Sequence, residues 1–243
     1  MLEDKFKFHV VGAGRGGTSL LAGLLDYHSQ LVVGFEEYSI SYLMGKGLES
    51  KGSEVFKSRV AAYIEACNRL SKGNPGVYWG NKITTEQIHG LEDHNDVNPA
   101  SKIDVLDEFF NSALQEKKVV FILRDGRACV KSKVLRSGHS IAEACKRWRY
   151  SIKCYKFFKN RHANNICIRF EDLLVNPEKA LKNICIFLDV PYQEEMLGGI
   201  KNEKMLPEYR KDLLDVSKAS SDVCFSEPFL QSIHEDMVYC GYL

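Results

Sequence analysis

Arg15-Gly16-Gly17-Thr18-Ser19 sets a cation, two glycines and two hydroxyls directly behind the apolar stretch Phe8–Val11. At a strand-to-helix junction such a segment turns backbone N–H groups and a helix N-terminus toward an anion, usually a phosphate. Three readings compete. Gly12-x-Gly14-x-x-Gly17 fits the dinucleotide pattern of an NAD(P)- or FAD-binding Rossmann enzyme. Glu36 and Glu37 lie about 20 residues on, where such folds keep a ribose-binding acid. Gly12 and Gly17 also have Walker A spacing, but Thr18 stands where that loop needs lysine, which disfavours kinase-like NTP chemistry. In the third reading Arg15 is the cation, and Gly16, Gly17, Thr18 and Ser19 hold a terminal oxyanion. The loop alone leaves the first and third readings open, together with a plain tight turn.

A second group favours the third. Val119–Leu123 is an apolar strand that ends at Arg124, and a helix follows. Ser132 lies eight residues beyond Arg124, about two helical turns. The two side chains can meet on one phosphate if that helix folds back beside the strand exit. Arg136, four residues past Ser132 on the same helix face, joins them. A nicotinamide enzyme has no use for this second anion site. The plain alternative is a solvated basic helix face.

The elements that must position these residues are short apolar runs alternating with longer helical patterns. Strands are expected at Lys7–Val11, Leu31–Phe35, Val77–Gly80, Val119–Leu123 and Ile166–Arg169. Helices are expected at Gly17–His28, Ser53–Leu70, Lys102–Gln115, Ala128–Arg136, Ile141–Asn160 and Pro177–Leu188. This alternation predicts an α/β fold, a parallel sheet with helices on both faces and a P-loop-like first unit. Ligands then bind beyond the carboxyl ends of the strands. Gly90–Ser101 reads as a loop, and Met196–Ser226 is polar and weakly periodic. The 243 residues suit one domain, and a net charge of +1 excludes a general polyanion surface, so no nucleic acid partner is expected. No run approaches the roughly 20 apolar residues of a membrane span, and Met1–Lys5 leads straight into a strand with no room for a signal peptide. The eight cysteines (67, 129, 145, 154, 167, 185, 224 and 240) form no CxxC pair. No metal site is expected, and the thiols read as reduced core residues of a cytoplasmic protein.

With these motifs in place, the chain resembles the sulfotransferases that use 3′-phosphoadenosine 5′-phosphosulfate (PAPS). The likeness is strongest to the branch of tyrosylprotein sulfotransferases and their bacterial relatives. Arg15-Gly16-Gly17-Thr18-Ser19 resembles that family's R-S-G-T-T loop, with Gly16 in place of Ser, and implies that these five residues bind the 5′-phosphosulfate. Arg124-Asp125-Gly126-Arg127-Ala128 with Ser132 resembles its R-D-G-R-A…S segment and implies a 3′-phosphate site. Leu24-Leu25-Asp26-Tyr27-His28 resembles its L-D-x-H stretch. Trp79-Gly80-Asn81-Lys82 resembles its N-K segment and puts Lys82, just after a strand, at the transferred group beside Arg15. Arg169-Phe170-Glu171-Asp172-Leu173 resembles its R-Y-E-x-L, with Phe170 able to pack but not to hydrogen-bond. Counted from the loop arginine, Glu36 falls at the family's general base. Ser217-Lys218 resembles a C-terminal nucleotide-loop pair. The resemblance thus implies the sulfotransferase fold over residues 1–243, with a nucleotide-binding core near 6–190 and a helical and loop segment at 191–243. It further implies PAPS as donor, PAP as product, no metal, and a hydroxyl acceptor that is a small molecule, glycan or peptide. Tyr38–Lys51 and Gly90–Ser101 are the expected acceptor-binding segments. A relative that binds nucleotide without catalysis is a further alternative.

Overall fold

The structure, a computed structural model, describes residues 5–48, 55–73, 76–161, 163–219 and 227–243. Among the described residues five strands form one sheet: β1 (Phe6–Gly12), β2 (Leu31–Phe35), β3 (Tyr78–Thr84), β4 (Lys118–Leu123) and β5 (Asn165–Arg169). Their order is β2-β3-β1-β4-β5, and every neighbouring pair is parallel. The helices are α1 (Thr18–Asp26), α2 (Val55–Lys72), α3 (Thr85–His89), α4 (Asp93–Val97), α5 (Val105–Asp107), α6 (Gly126–Ser137), α7 (Ile141–Asn160), α8 (Phe170–Val175), α9 (Pro177–Leu188) and α10 (Glu227–Tyr239).

A parallel sheet is covered on both faces, which is why its strands read as apolar runs rather than alternating ones. Phe6 and Val11 of β1 enter one core with Val60 and Tyr63 of α2, Trp148 and Ile152 of α7, and Ile233 of α10. Phe8 and Val10 enter the other with Leu21 and Leu25 of α1, Leu173 of α8, and Leu181 and Ile184 of α9. After β3 the chain crosses to the far side of β1 to lay down β4. The carboxyl end of β1 is therefore the point where the connections change direction, the favoured place for a ligand in such sheets.

Helix starts follow their caps. The Ser140 hydroxyl accepts from the Glu143 N–H at 3.2 Å, and Asp125 accepts from the Arg127 N–H at 2.8 Å. Several expectations change. β3 runs on to Thr84, so Lys82 lies inside a strand rather than after it. Gly90–Ser101 is not a plain loop: a 3-10 turn over Gly90–Glu92 passes into α4. Arg59, only 3% exposed, closes that segment by donating to the Tyr42, Leu43 and Gly90 carbonyls and pairing with Asp93. Asn95 bridges both backbone groups of Ile103. The helix expected over Lys102–Gln115 begins only after Asp104, whose carboxylate caps Leu106 at 3.0 Å, and continues as a π-helix over Glu108–Ala113. The expected start of α2 at Ser53 lies outside the described residues, as does Cys224. Within the segment expected to be polar and irregular, a 3-10 helix over Glu194–Lys201 buries Met196 and Ile200 in the second core. No described helix is long and apolar enough to cross a membrane. Among the described residues the cysteines are unpaired thiols, and no cluster of His, Cys, Asp and Glu is arranged to hold a metal ion.

The sheet is packed tightly beside the site-bearing end of β3. A Cβ on Gly80 would lie 2.4 Å from the Phe8 ring. Gly80→Ala is expected to lower stability by about 2 kcal/mol through overpacking. Urea unfolding with an unchanged m-value would show this, and an unshifted midpoint would mean that Phe8 relocates freely.

Candidate active site

Three glycines shape the loop after β1, each through a close approach. A Cβ on Gly12 would lie 2.6 Å from the Ile122 carbonyl oxygen. One on Gly14 would lie 3.0 Å from Glu86 Oε1, and one on Gly17 would lie 2.2 Å from the Phe170 ring. Between them the chain turns left-handed twice, at Arg15 (φ 69°) and Gly17 (φ 95°), and the Gly16 N–H donates to the Ala13 carbonyl at 2.8 Å. Gly17 is the N-cap of α1 and has no side chain to satisfy the first N–H groups. Those donors, with the Thr18 and Ser19 hydroxyls on the same turn, remain available to an anion.

Arginines converge on this loop. Arg124 leaves β4, donates from Nη1 to the Arg15 carbonyl at 2.9 Å, and lies 4.2 Å from the centre of the Phe170 ring. Its Nε is buried without a hydrogen-bond partner. The Trp148 indole N–H donates to the Arg124 carbonyl at 3.2 Å, and the buried Trp148 ring packs in the core beneath it. Arg15 Nε donates to Ser132 Oγ at 3.1 Å. Helix α6 therefore does fold back beside the exit of β4. The Arg15 guanidinium also lies 4.7 Å from the centre of the Tyr209 ring. Burial, then the Arg136 and Arg124 charges, push Arg15 below its ordinary pKa, with Glu208 pulling the other way. None of Arg15, Arg124 and Arg136 forms an ion pair among the described residues.

At the other end of the sheet, Glu36 follows β2 with φ 67°. Its N–H donates to the Lys82 carbonyl at 2.8 Å, and its own carbonyl accepts from the Ser39 hydroxyl at 2.8 Å. The carboxylate pairs with Lys82 Nζ at 2.5 Å through Oε1 and accepts from Gln87 Nε2 at 2.6 Å through Oε2. Glu37 is separated from it: the Asn81 amide holds the Glu37 backbone, accepting from its N–H at 3.2 Å and donating to its carbonyl at 2.9 Å. Lys82 is 4% exposed.

Sequence reasoning missed two residues of α3. Gln87 accepts the Thr84 N–H at 2.7 Å through Oε1, which fixes its amide and aims Nε2 at Glu36. The T-x-x-Q capping box was the available signal. Glu86 accepts the Gly14 N–H at 2.8 Å and pairs with Lys133 of α6. Burial raises the Glu86 carboxyl, but the Lys133 charge, its hydrogen bond and the Gly14 N–H outweigh that and hold it below the usual range. No local pattern announces this pair.

The remaining expected residues divide. Arg136 lies exposed one turn beyond Ser132, close enough for its charge to act on Arg15. Ser217 and Lys218 sit on a 3-10 turn, where both engage Asp215, at 2.5 and 3.1 Å. Asp26 and His28 serve packing: Asp26 accepts from the Val33 N–H at 2.8 Å, and His28 Nε2 lies 2.6 Å from the Pro191 carbonyl oxygen. Glu171 accepts from the Asp125 N–H at 3.0 Å and the Tyr242 hydroxyl at 2.8 Å, tying the chain end to the start of α6. Chemically, the site combines arginines and helix N–H donors, groups suited to an anion, with a carboxylate–lysine pair at the same sheet edge.

The sequence matches the description "Sulfotransferase family" over residues 8–194, and the chain belongs to that family. It is 25% identical over 205 residues to protein-tyrosine sulfotransferase A of Caenorhabditis elegans, covering 76% of this chain and 50% of that protein. The chain thus spans about half the length of this curated relative. Among solved structures, the sulfotransferase domain from the curacin biosynthetic pathway superposes with a TM-score of 0.69 at 16% identity over 98% of both chains. Mouse sulfotransferase SULT7A1, solved in complex with PAP, gives 0.50 at 12% identity over 96% of this chain and 87% of that one. These likenesses show the sulfotransferase fold.

Because Glu86 is held below its ordinary value in the folded chain, the stability it contributes is complete above its unfolded pKa and is lost as pH falls through the folded one. Glu86→Gln/Lys133→Met is therefore expected to flatten the loss of urea stability below about pH 4. An acid limb identical to wild type would remove Glu86 from that dependence.

Proposed function

We propose that this sulfotransferase takes its sulfuryl group from PAPS and passes it to a hydroxyl acceptor. The observation that carries this reading is the set of arginines gathered at the β1 and β4 exits with no ion pair among the described residues, including the buried Nε of Arg124, which has no hydrogen-bond partner there. Such a group asks for a ligand with more than one anionic centre. The residues present fit a nucleotide phosphorylated at both ends of its ribose. Arg15, Gly16, Gly17, Thr18 and Ser19 hold its 5′ end, and Arg124, Ser132 and Arg136 hold its 3′-phosphate. Phe170, under the Arg124 guanidinium, supplies the apolar floor. Ser217 and Lys218 close over the nucleotide from the C-terminal segment. The whole chain acts as one such domain.

PAPS supplies the activated sulfuryl group and leaves as PAP. The protein positions and neutralises. Glu36 accepts the acceptor's hydroxyl proton while the acceptor oxygen bonds to sulfur and the bond from sulfur to the 5′-phosphate oxygen breaks. Lys82 and Arg15 balance the charge that grows on the departing oxygen. Gln87 keeps the Glu36 carboxylate turned toward Lys82. The acceptor enters between Glu36 and the segment that follows it, where Tyr38 and Ile40 are each 44% exposed. Its class, among small molecules, glycans and peptides, is open to a screen.

Arg124→Ala is expected to weaken PAP binding by about tenfold or more, since it removes charge-assisted hydrogen bonds. Titration calorimetry would show it, and unchanged affinity would sink the 3′-phosphate role. Glu36→Gln should bind PAP like wild type while losing about two or more orders of magnitude in turnover. Full turnover in that variant would exclude Glu36 as the base. A thermal-shift comparison of PAP, AMP and NAD tests the reading as a whole. Stabilisation by PAP well above that by AMP supports it, and a response to NAD alone would return the loop to the dinucleotide reading.

A further inference from the structure

The Gly14 N–H, two residues beyond the end of β1, is not left free for a ligand. It is bound by a side chain, Glu86 Oε2, at 2.8 Å. A carboxylate beneath an anion-binding loop is electrostatically adverse unless neutralised, and Lys133 neutralises it: the Glu86 and Lys133 side chains are 12% and 4% exposed and directly paired. The next loop residue, Arg15, holds φ 69°, a conformation that costs a non-glycine residue about 1 kcal/mol or more and persists only where its surroundings over-determine it. Helix α6 grips the loop at consecutive residues, Ser132 on Arg15 at 3.1 Å and Lys133, through Glu86, on Gly14. Gly14 is bare because a Cβ there would press on Glu86 Oε1 at 3.0 Å.

We infer that Glu86, neutralised by Lys133, is a positioning residue that locks the donor loop to α3 and α6 and so sets its affinity for the nucleotide. The inference rests on the reading of that loop as the donor site. Glu86 does not touch the nucleotide. It acts through the Gly14 N–H, so the loop is ordered before the ligand arrives and binding carries less ordering entropy.

Two neutral double variants separate this role from simple ion-pair stability, read by titration calorimetry with PAP and by thermal melting. Replacing a buried ion pair by apolar residues of similar volume is often neutral for stability. Glu86→Gln/Lys133→Met keeps an acceptor for the Gly14 N–H and should bind PAP within about threefold of wild type. Glu86→Leu/Lys133→Met removes the acceptor and should bind about tenfold more weakly or worse while melting near the first double. Equal PAP affinity in the two doubles, at any level, overturns the inference and leaves the sulfuryl-transfer reading standing. Failure of the wild-type protein to bind PAP overturns that reading and the inference with it. Should the leucine double not fold, Glu86→Ala/Lys133→Met decides, because it also removes the carboxylate acceptor of the Gly14 N–H and leaves no unpaired charge. A loss of about tenfold supports the inference, and unchanged affinity overturns it.

Discussion

Gathering Arg15, Arg124 and Arg136 at one corner of a sheet is electrostatically unfavourable: burial first, and then the neighbouring arginine charges, push Arg15 below its ordinary pKa. Among the described residues none of the three forms an ion pair, and the fold offsets the repulsion with the nearby charge of Glu208 and with neutral and aromatic contacts. Arg124 lies on the Phe170 ring and donates to the Arg15 carbonyl, and Arg15 lies against Tyr209 and donates to Ser132. These contacts hold guanidinium groups in place without cancelling their charge. Two other carboxylates of the site are matched with lysines, Glu36 with Lys82 and Glu86 with Lys133. This separation by partner rather than by distance, with the lysines ion-paired and the arginines not, is the constraint on which the remaining geometry depends.

The parallel sheet sets the order of these groups. Across its carboxyl edge, in the order β2-β3-β1-β4-β5, stand Glu36, Lys82, Arg15, Arg124 and Phe170. The Glu36–Lys82 pair is at one end, the glycine-rich loop after β1 is central, and Arg124 with its aromatic support is at the other. Helix α3 joins the halves through consecutive side chains, Glu86 to the loop and Gln87 to Glu36. The glycine pattern that mimics a dinucleotide fingerprint has a packing cause at each position: the β4 backbone at Gly12, Glu86 at Gly14 and Phe170 at Gly17.

Most strands and helices were legible because parallel strands are continuous apolar runs and the long helices carry caps or amphipathic spacing. β2, α7 and α9 fall on their expected bounds. Where side chains from distant segments stabilise a stretch, local pattern misleads. Gly90–Ser101 is polar and reads as a loop, yet buried Arg59, reaching in from α2, gives it helical turns. Lys82 reads as a residue beyond a strand because Asn81 and Lys82 are polar, but Asn81 is satisfied by Tyr63 at 3.0 Å and Lys82 by Glu36, so β3 continues through them. Gln87 left a trace in its capping box, whereas Glu86 left none, since its partners lie at positions 14 and 133.

The residue types, their spacing and their place after apolar runs are enough to mark an α/β sheet, a glycine-rich loop after its first strand, an arginine at a second strand exit and the family's motifs, because these are local properties of strand and turn. The partners of the neighbouring acids appear only in three dimensions, where Asn81 holds the Glu37 backbone while Lys82 and Gln87 hold the Glu36 carboxylate. The meeting of Arg15 with Ser132, and of Gly14 with Glu86 and Lys133, likewise depends on how α3 and α6 cross the edge of the sheet. Hydrogen bonds between residues so far apart in the chain come from packing, and packing is a property of the whole fold rather than of any segment.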